Sequence, residues 1–414
     1  MPEVRTRLRE YGSAVSVMSA YAVLATVWVM IFLVFLGHML PRVRDILRHA
    51  PLADTPPCDG VQCDFSVFWP AGLLASNGQF ERLYNPVTFD VFRKHILFTG
   101  EPQLNWYYPP PSLLPLLPIS HLPLGPAFIV WSLVLLLLAV AALRMAGISW
   151  LVVLVSLLSP AALWNIEMGQ WEIFCGAVLM AGLLLQVRRP MTGGLLLSLM
   201  ILKPQAGVLM PVALLAGGRW RAIAWGIAGG TVICLLATVV LGPQVWAAWH
   251  HYGEEVAHQN LIQGNSIGLE ESASVFWAMR NAGASVQAAY AVQVLAALTA
   301  LAAVAHAWRD QRFSTERRLA LTVVGGVLVT PYLFIVDLVA YEIALALLAE
   351  RRGWRIDPLD AFFWLWPMLS PAIYIWKGWL LTPVVMAALL LRLWAPVALQ
   401  ARPRQMHKEA RLRC

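Results

Sequence analysis

The stretch Ser16–Leu36, SVMSAYAVLATVWVMIFLVFL, carries no charged residue. A run this long and this apolar calls for a hydrocarbon solvent. Roughly 20 apolar residues, rising 1.5 Å each, cross the ~30 Å core of a bilayer as one helix. Runs such as LGPAFIVWSLVLLLLAVAALRM (Leu124–Met145) repeat the pattern, and none alternates with the period of two that a membrane barrel requires. Composition agrees: 59% of the chain is hydrophobic, 13% is charged and the mean hydropathy is +0.65, whereas soluble domains carry about 25% charged residues. The chain reads as an all-α polytopic membrane protein, a single transmembrane domain over residues 1–414. The lipid bilayer is its first partner. The opening run is longer than the ~7–15 apolar residues of a secretory leader and no small-residue cleavage site follows, so it reads as a retained anchor.

The net charge of +7 does not point to nucleic acid. The basic residues gather in short loops and in the tail at 398–414, where they orient a chain in the membrane. Arg5, Arg7 and Arg9 place the N-terminus in the cytoplasm. Residues 39–123 are too polar to span and form a long first external loop. Arg144, Arg188–Arg189, Arg219, Arg221 and the stretch WRDQRFSTERR then mark successive cytoplasmic turns. A second external loop covers 242–285. The alternation gives about 12 membrane segments, with both termini inside.

One segment resists simple threading. PMTGGLLLSLMILKPQAGVLMPVALLAGGRWRA is apolar but basic at both ends, and it holds Lys203 at its centre. As a single span it would leave one basic end outside and set an ammonium at mid-bilayer, at a cost of roughly 2.5–3.5 kcal/mol. A hairpin with KPQ (Lys203–Gln205) at its tip satisfies both constraints. Pro204 favours a break there, and irregular backbone at that depth requires a polar cavity or burial in protein.

The first external loop begins with two cysteines, Cys58 and Cys63. A Cys58–Cys63 disulfide is one reading if the loop faces an oxidising compartment, and two free thiols the other. From Asp64, in VQCDFSVFWP, helical spacing and the stop signal SNG predict a helix lying at the headgroup level, with Phe65, Phe68 and Trp69 among lipid headgroups. Asp64 is then either its N-cap or a reactive carboxylate. Trp106, Tyr107 and Tyr108 precede a proline-rich stretch too short to span. They read as interfacial aromatics, or as a wall for a sugar or a lipid. Asn165, Gln170, Gln205 and Asp337 fall on the same outer side. An intramembrane lysine is a functional candidate by default, and suits a phosphate as a point charge. A carboxylate near it could take a proton from an acceptor hydroxyl. No Gly-rich phosphate loop, HExxH or DxD motif is present, so neither a metal site nor a cofactor is indicated.

Several stretches carry a resemblance: DFSVFWPAGLLASNGQFERLYNPVTF, WYYPPPSLLPLLPISHLPLGPAFIVW, NIEMGQWEIF, LKPQAGVLMPVALLAGGRWRA and TPYLFIVDLVAYEIAL. In this order, Asp-Phe, LYNP, YPPP, GQ, KPQ and TPY…D resemble glycosyltransferase family 87, polytopic enzymes of the GT-C superfamily. The resemblance implies a GT-C fold whose first periplasmic loop carries juxtamembrane helices. It implies a polyprenyl-phosphate sugar donor, a lipid or glycan acceptor, and inverting transfer on the periplasmic face of the cell inner membrane. By motif the catalytic Asp falls on Asp64. Lys203 and Gln205 would meet the donor phosphate, while Tyr107, Tyr108, Asn165, Gln170 and Asp337 would line the substrate. A lipid or glycan transporter, and an enzyme like the O-antigen ligases or polymerases, are the rival readings.

Overall fold

Proline, glycine and serine punctuate the apolar runs into helices. A computed structural model describes residues 22, 25–41, 43–44, 64–97, 103–261 and 269–398. Among these residues the regular structure is helical, with one isolated β-bridge between Ser272 and Phe334. The candidate disulfide cysteines Cys58 and Cys63, the first arginines and residues 399–414 of the tail lie outside the described residues.

The first helix, α1, spans Ala25–Pro41. The long loop then folds into α2 (Phe65–Ser76), α3 (Phe80–Tyr84), α4 (Pro86–Leu97) and α5 (Leu116–Ser120). Next come α6 (Leu124–Met145), α7 (Trp150–Leu157), α8 (Pro160–Met168) and α9 (Glu172–Leu185). The Lys203 segment gives α10 (Pro190–Ser198) and α11 (Met210–Ala216), joined by two 3-10 turns. They are followed by α12 (Trp220–Leu241), α13 (Gln244–Leu261), α14 (Val275–Asn281) and α15 (Val286–Arg309). The chain closes with α16 (Thr315–Val329), α17 (Val339–Arg351), α18 (Pro358–Lys377) and α19 (Thr382–Ala398).

Three of these, α6, α12 and α15, are long and apolar enough to cross a membrane alone. The pair α7–α8 makes a fourth crossing if its 56° bend is counted within one span. α12 exposes Ile227, Val232, Leu235 and Val239, and α15 exposes Val294, Leu295 and Leu298. Side chains this apolar face lipid, so the protein is a membrane protein. The expected count of about 12 crossings further requires the shorter helices to cross as well.

The Lys203 segment is a hairpin. Gly194 packs on Ala222 and Trp225, and Gly229 packs on Ser198, so α10 and α12 run side by side in the same direction. On the other arm Gly217 meets Trp308 at the end of α15, and Gly207 folds back onto Met200. Both arms therefore start and finish at the same end of the bundle, with Lys203 and Pro204 at the turn. The expectation from the basic flanks and Pro204 holds in its geometry.

The two ends of the bundle differ in chemistry. One end is basic and cross-linked by ion pairs: Arg351 to Glu316 at 2.8 Å, Arg352 to Asp360 at 2.9 Å and Arg392 to Asp357 at 2.6 Å. The other carries α2–α5, α13 and α14.

Close approach of α10 to α12 depends on a missing side chain. A Cβ at Gly194 would lie 2.4 Å from the carbonyl oxygen of Ala222, whereas one at Gly230 would meet nothing nearer than 3.9 Å. Gly194→Ala should therefore lower thermal stability in detergent by about 1–3 kcal/mol. Gly230→Ala should leave it unchanged or raise it slightly, as alanine favours the helix.

Candidate active site

The site is assembled where α2, the turn after α8, the hairpin tip and the turn before α17 converge. α8 starts on a serine cap, the Ser159 hydroxyl accepting from the Ala162 amide, and stops at Gly169 in the left-handed region, φ +68°. A side chain at Gly169 would lie 2.6 Å from Cβ of Phe65, so only glycine lets α2 lie this close. The Gly169 carbonyl accepts the Trp131 indole N–H at 2.9 Å. The next residue, Gln170, donates its Nε2 to Oδ2 of Asp64 at 2.9 Å.

This corrects two expectations about Asp64 and its helix. Asp64 stands at the N-cap position of α2, but its backbone is helical and its side chain makes no cap hydrogen bond. The carboxylate turns to Gln170 instead. Nor do the rings of α2 meet headgroups: Phe65, Phe68 and Trp69 are buried within the protein. Phe68 packs edge-on to Trp106 and Tyr108, with ring centroids 5.9 and 5.8 Å away, and tilts against Trp171 at 5.4 Å. Trp106, read as a membrane-belt residue, is buried in the same aromatic cluster. Burial among these groups pushes the Asp64 carboxyl up to about 6, against the opposing effects of the Gln170 hydrogen bond and the Lys203 charge.

Lys203 is buried at the hairpin turn, with φ −142° and ψ 76°. Its ammonium bonds to Oδ1 of Asp337 and lies 2.9 Å from Oε2 of Glu172. The second oxygen of Asp337 accepts the Phe334 amide at 2.9 Å. One cation thus serves two buried carboxylates, and a phosphate would have to compete with them for it. Glu172 was missed by sequence reasoning, although it sits two residues past Gln170 in GQWE. Its signal was the lysine itself, which at membrane depth requires counter-charges.

The remaining expected residues divide into two groups. Asn165 is fully buried, with both amide atoms committed to backbone: its oxygen accepts from Ile173 N at 3.1 Å and its nitrogen donates to Val336 O at 3.3 Å. It fixes the start of α9 against the turn carrying Asp337, and does not line an open space. Tyr107, Tyr108 and Gln205 do line one, a cavity of about 340 Å³ that also includes Pro204, Trp246 and Trp249. Trp249 donates to the Tyr107 carbonyl at 3.4 Å. Asp64 and Lys203 are not on the cavity wall, but their charges reach both tyrosines. The two tryptophans were not anticipated; their i,i+3 spacing in VWAAW was the available sign.

A model of glycosyltransferase family 87 matches residues 106–331, more than half of the chain. The chain belongs to glycosyltransferase family 87. The match takes in YPPP, GQWE and KPQ, and therefore Tyr107, Tyr108, Gln170, Glu172, Lys203 and Gln205. Asp64 and Asp337 lie outside it and join the family's matched stretch only through contacts in space, to Gln170 and Lys203. No curated protein and no solved structure matches the chain. Family membership makes this membrane protein a glycosyltransferase.

Removing the cation from the Lys203 triad should be worse than removing the whole triad. Lys203→Met leaves Glu172 and Asp337 buried without a counter-charge, a loss of about 3–5 kcal/mol, and should yield little monodisperse protein on size exclusion. The triple variant Lys203→Met/Glu172→Gln/Asp337→Asn should recover folded protein close to wild-type stability.

Proposed function

We propose that this family 87 enzyme transfers a sugar, a mannose-like hexose, from a polyprenyl-phosphate-sugar donor to a lipid or glycan acceptor. Transfer takes place on the periplasmic face of the inner membrane, with inversion, and Asp64 is the general base. The observation that carries this reading is the Asp64 carboxylate, held by Gln170 beside the Lys203 triad and tuned by burial to about 6. A base poised just below neutral pH is ionised when needed and can still accept a proton in the transition state.

In this reading the acceptor hydroxyl gives its proton to Asp64 while its oxygen attacks the anomeric carbon. The bond from that carbon to the phosphate oxygen breaks, and the electron pair leaves with the polyprenyl phosphate. Lys203 and Gln205 face the donor phosphate from the hairpin tip. Because the ammonium already holds Glu172 and Asp337, an arriving phosphate oxygen displaces Asp337, which at 9% exposure is the less enclosed of the two. The cavity walled by Tyr107, Trp246 and Trp249 offers flat rings to a sugar face or an isoprenoid chain.

Asp64→Asn should keep expression and donor binding but lower transfer by about 10²–10⁴-fold. Normal turnover by this variant would refute the assignment. The sign of the pH dependence follows from the raised carboxyl. Below about pH 6 Asp64 is protonated and cannot act as a base. The kcat/KM of the wild type should fall about tenfold per pH unit on the acid side, a limb absent from the residual activity of Asp64→Asn. Mass spectrometry of the lipids and glycans altered by deletion would identify sugar and acceptor.

A further inference from the structure

A second cavity lies at the basic end of the bundle, away from the transfer site. It measures about 390 Å³ and is bounded by α1, α7, α17 and α18. Its walls are apolar, among them Trp28, Leu158, Leu345 and Trp364. Its inner end lies where α7 breaks before α8: the Trp28 indole donates at 2.6 Å to the Leu158 carbonyl that the break sets free. Its outer end is Arg352 and Asp360. From Leu345 to Arg352 is seven residues along α17, about 10 Å of depth. Ala25 and Leu154 on its rim are exposed, so among the described residues the slot is open to surrounding lipid.

The charged lining at the mouth is the Arg352–Asp360 pair, and arginines outnumber carboxylates on the helix ends around it. Arg317, Arg351, Arg352, Arg355 and Arg392 stand with Glu316, Glu350, Asp357 and Asp360 at this end. Asp360 is shared by Arg352 and Arg392, and Glu316 is taken by Arg351. Glu350 is bonded by the Ser149 hydroxyl. Arg317 has no carboxylate partner among the described residues, and it feels the like charges of both Arg351 and Arg352. Trp354 also lines the slot, and its backbone is left-handed at φ 61°, a conformation costly for a non-glycine residue.

We propose that this slot binds one anionic phospholipid, an acyl chain filling the apolar walls and the phosphate resting on Arg317 and Arg352. Protein interiors are close-packed, so an apolar volume of this size needs an apolar filling. Basic pockets between membrane helices select anionic headgroups. A free phosphate would satisfy the mouth and leave the walls bare. A zwitterionic lipid would satisfy the walls and leave the cationic surplus unmatched.

Native mass spectrometry of the full-length protein tests the proposal after exchange into vesicles of phosphatidylglycerol or of phosphatidylcholine. The expected result is one retained phosphatidylglycerol, preferred about tenfold over phosphatidylcholine. Ala25→Trp, at an exposed position on the rim, should block retention of both lipids. Arg317→Gln/Arg352→Gln should remove only the preference, and Arg392 keeps Asp360 paired in that variant. Sugar transfer should continue in all of these, which separates this site from the transfer site. Equal retention of the two lipids, retention unchanged in Ala25→Trp, no retained lipid, or a slot cross-linked to the chain's own N-terminal residues would each overturn it.

Discussion

A single ammonium holds the site end of this protein together. Lys203 joins the hairpin tip to the first residue of α9 through Glu172 and to the turn before α17 through Asp337. The three elements are distant in sequence, and each would carry an uncompensated charge at depth without the other two. A buried ion pair is a weak source of net stability, because desolvation offsets the attraction. Its strength is as a constraint: in the absence of another anion at the ammonium, any arrangement that separates the three groups is expensive. The hairpin tip, the start of α9 and the start of α17 are therefore locked in one register.

The carboxylate proposed to act chemically depends on that register indirectly. Asp64 is tied to Gln170, and Gln170 stands between the end of α8 and Glu172 at the start of α9. Asn165 bonds the backbone on both sides of this corner. The first loop thus reaches its position through the hydrogen bonds from Gln170 to Asp64 and from Trp249 to Tyr107 and a sheath of rings, Phe65, Phe68, Trp106, Tyr108, Trp131 and Trp171, rather than through a membrane span of its own. The same rings that seat Asp64 also desolvate it, so position and proton affinity share one cause.

Much of this was legible in the residues. The hairpin followed from basic flanks and a proline beside a lysine, since orientation and insertion costs act on sequence directly. The helix after Asp64 and its end at SNG followed from spacing and turn chemistry. The gathering of Gln170, Lys203 and Asp337 at one end of the bundle followed from counting crossings. What the residues misjudged was burial. Phe65, Phe68 and Trp106 read as interfacial because aromatics collect at headgroups. An aromatic ring looks the same in a sequence whether it meets lipid or another ring. Asn165 read as a lining residue for the same reason, since a polar side chain does not announce whether its partner is substrate or backbone.

The sequence by itself determined that the chain lives in a bilayer, where it turns, and which few polar groups must be gathered at depth. Those are consequences of solvent, and each residue carries its own transfer free energy. Only the tertiary structure decided the pairings: Gln170 to Asp64, and Glu172 with Asp337 to Lys203. A hydrogen bond or ion pair is a property of two groups and the distance between them, and that distance is set by packing across helices far apart in the chain. Gly169 shows the join between the two levels. Its identity is local, required by a left-handed turn, but its consequence is that Phe65 can lie against it and bring Asp64 to the site.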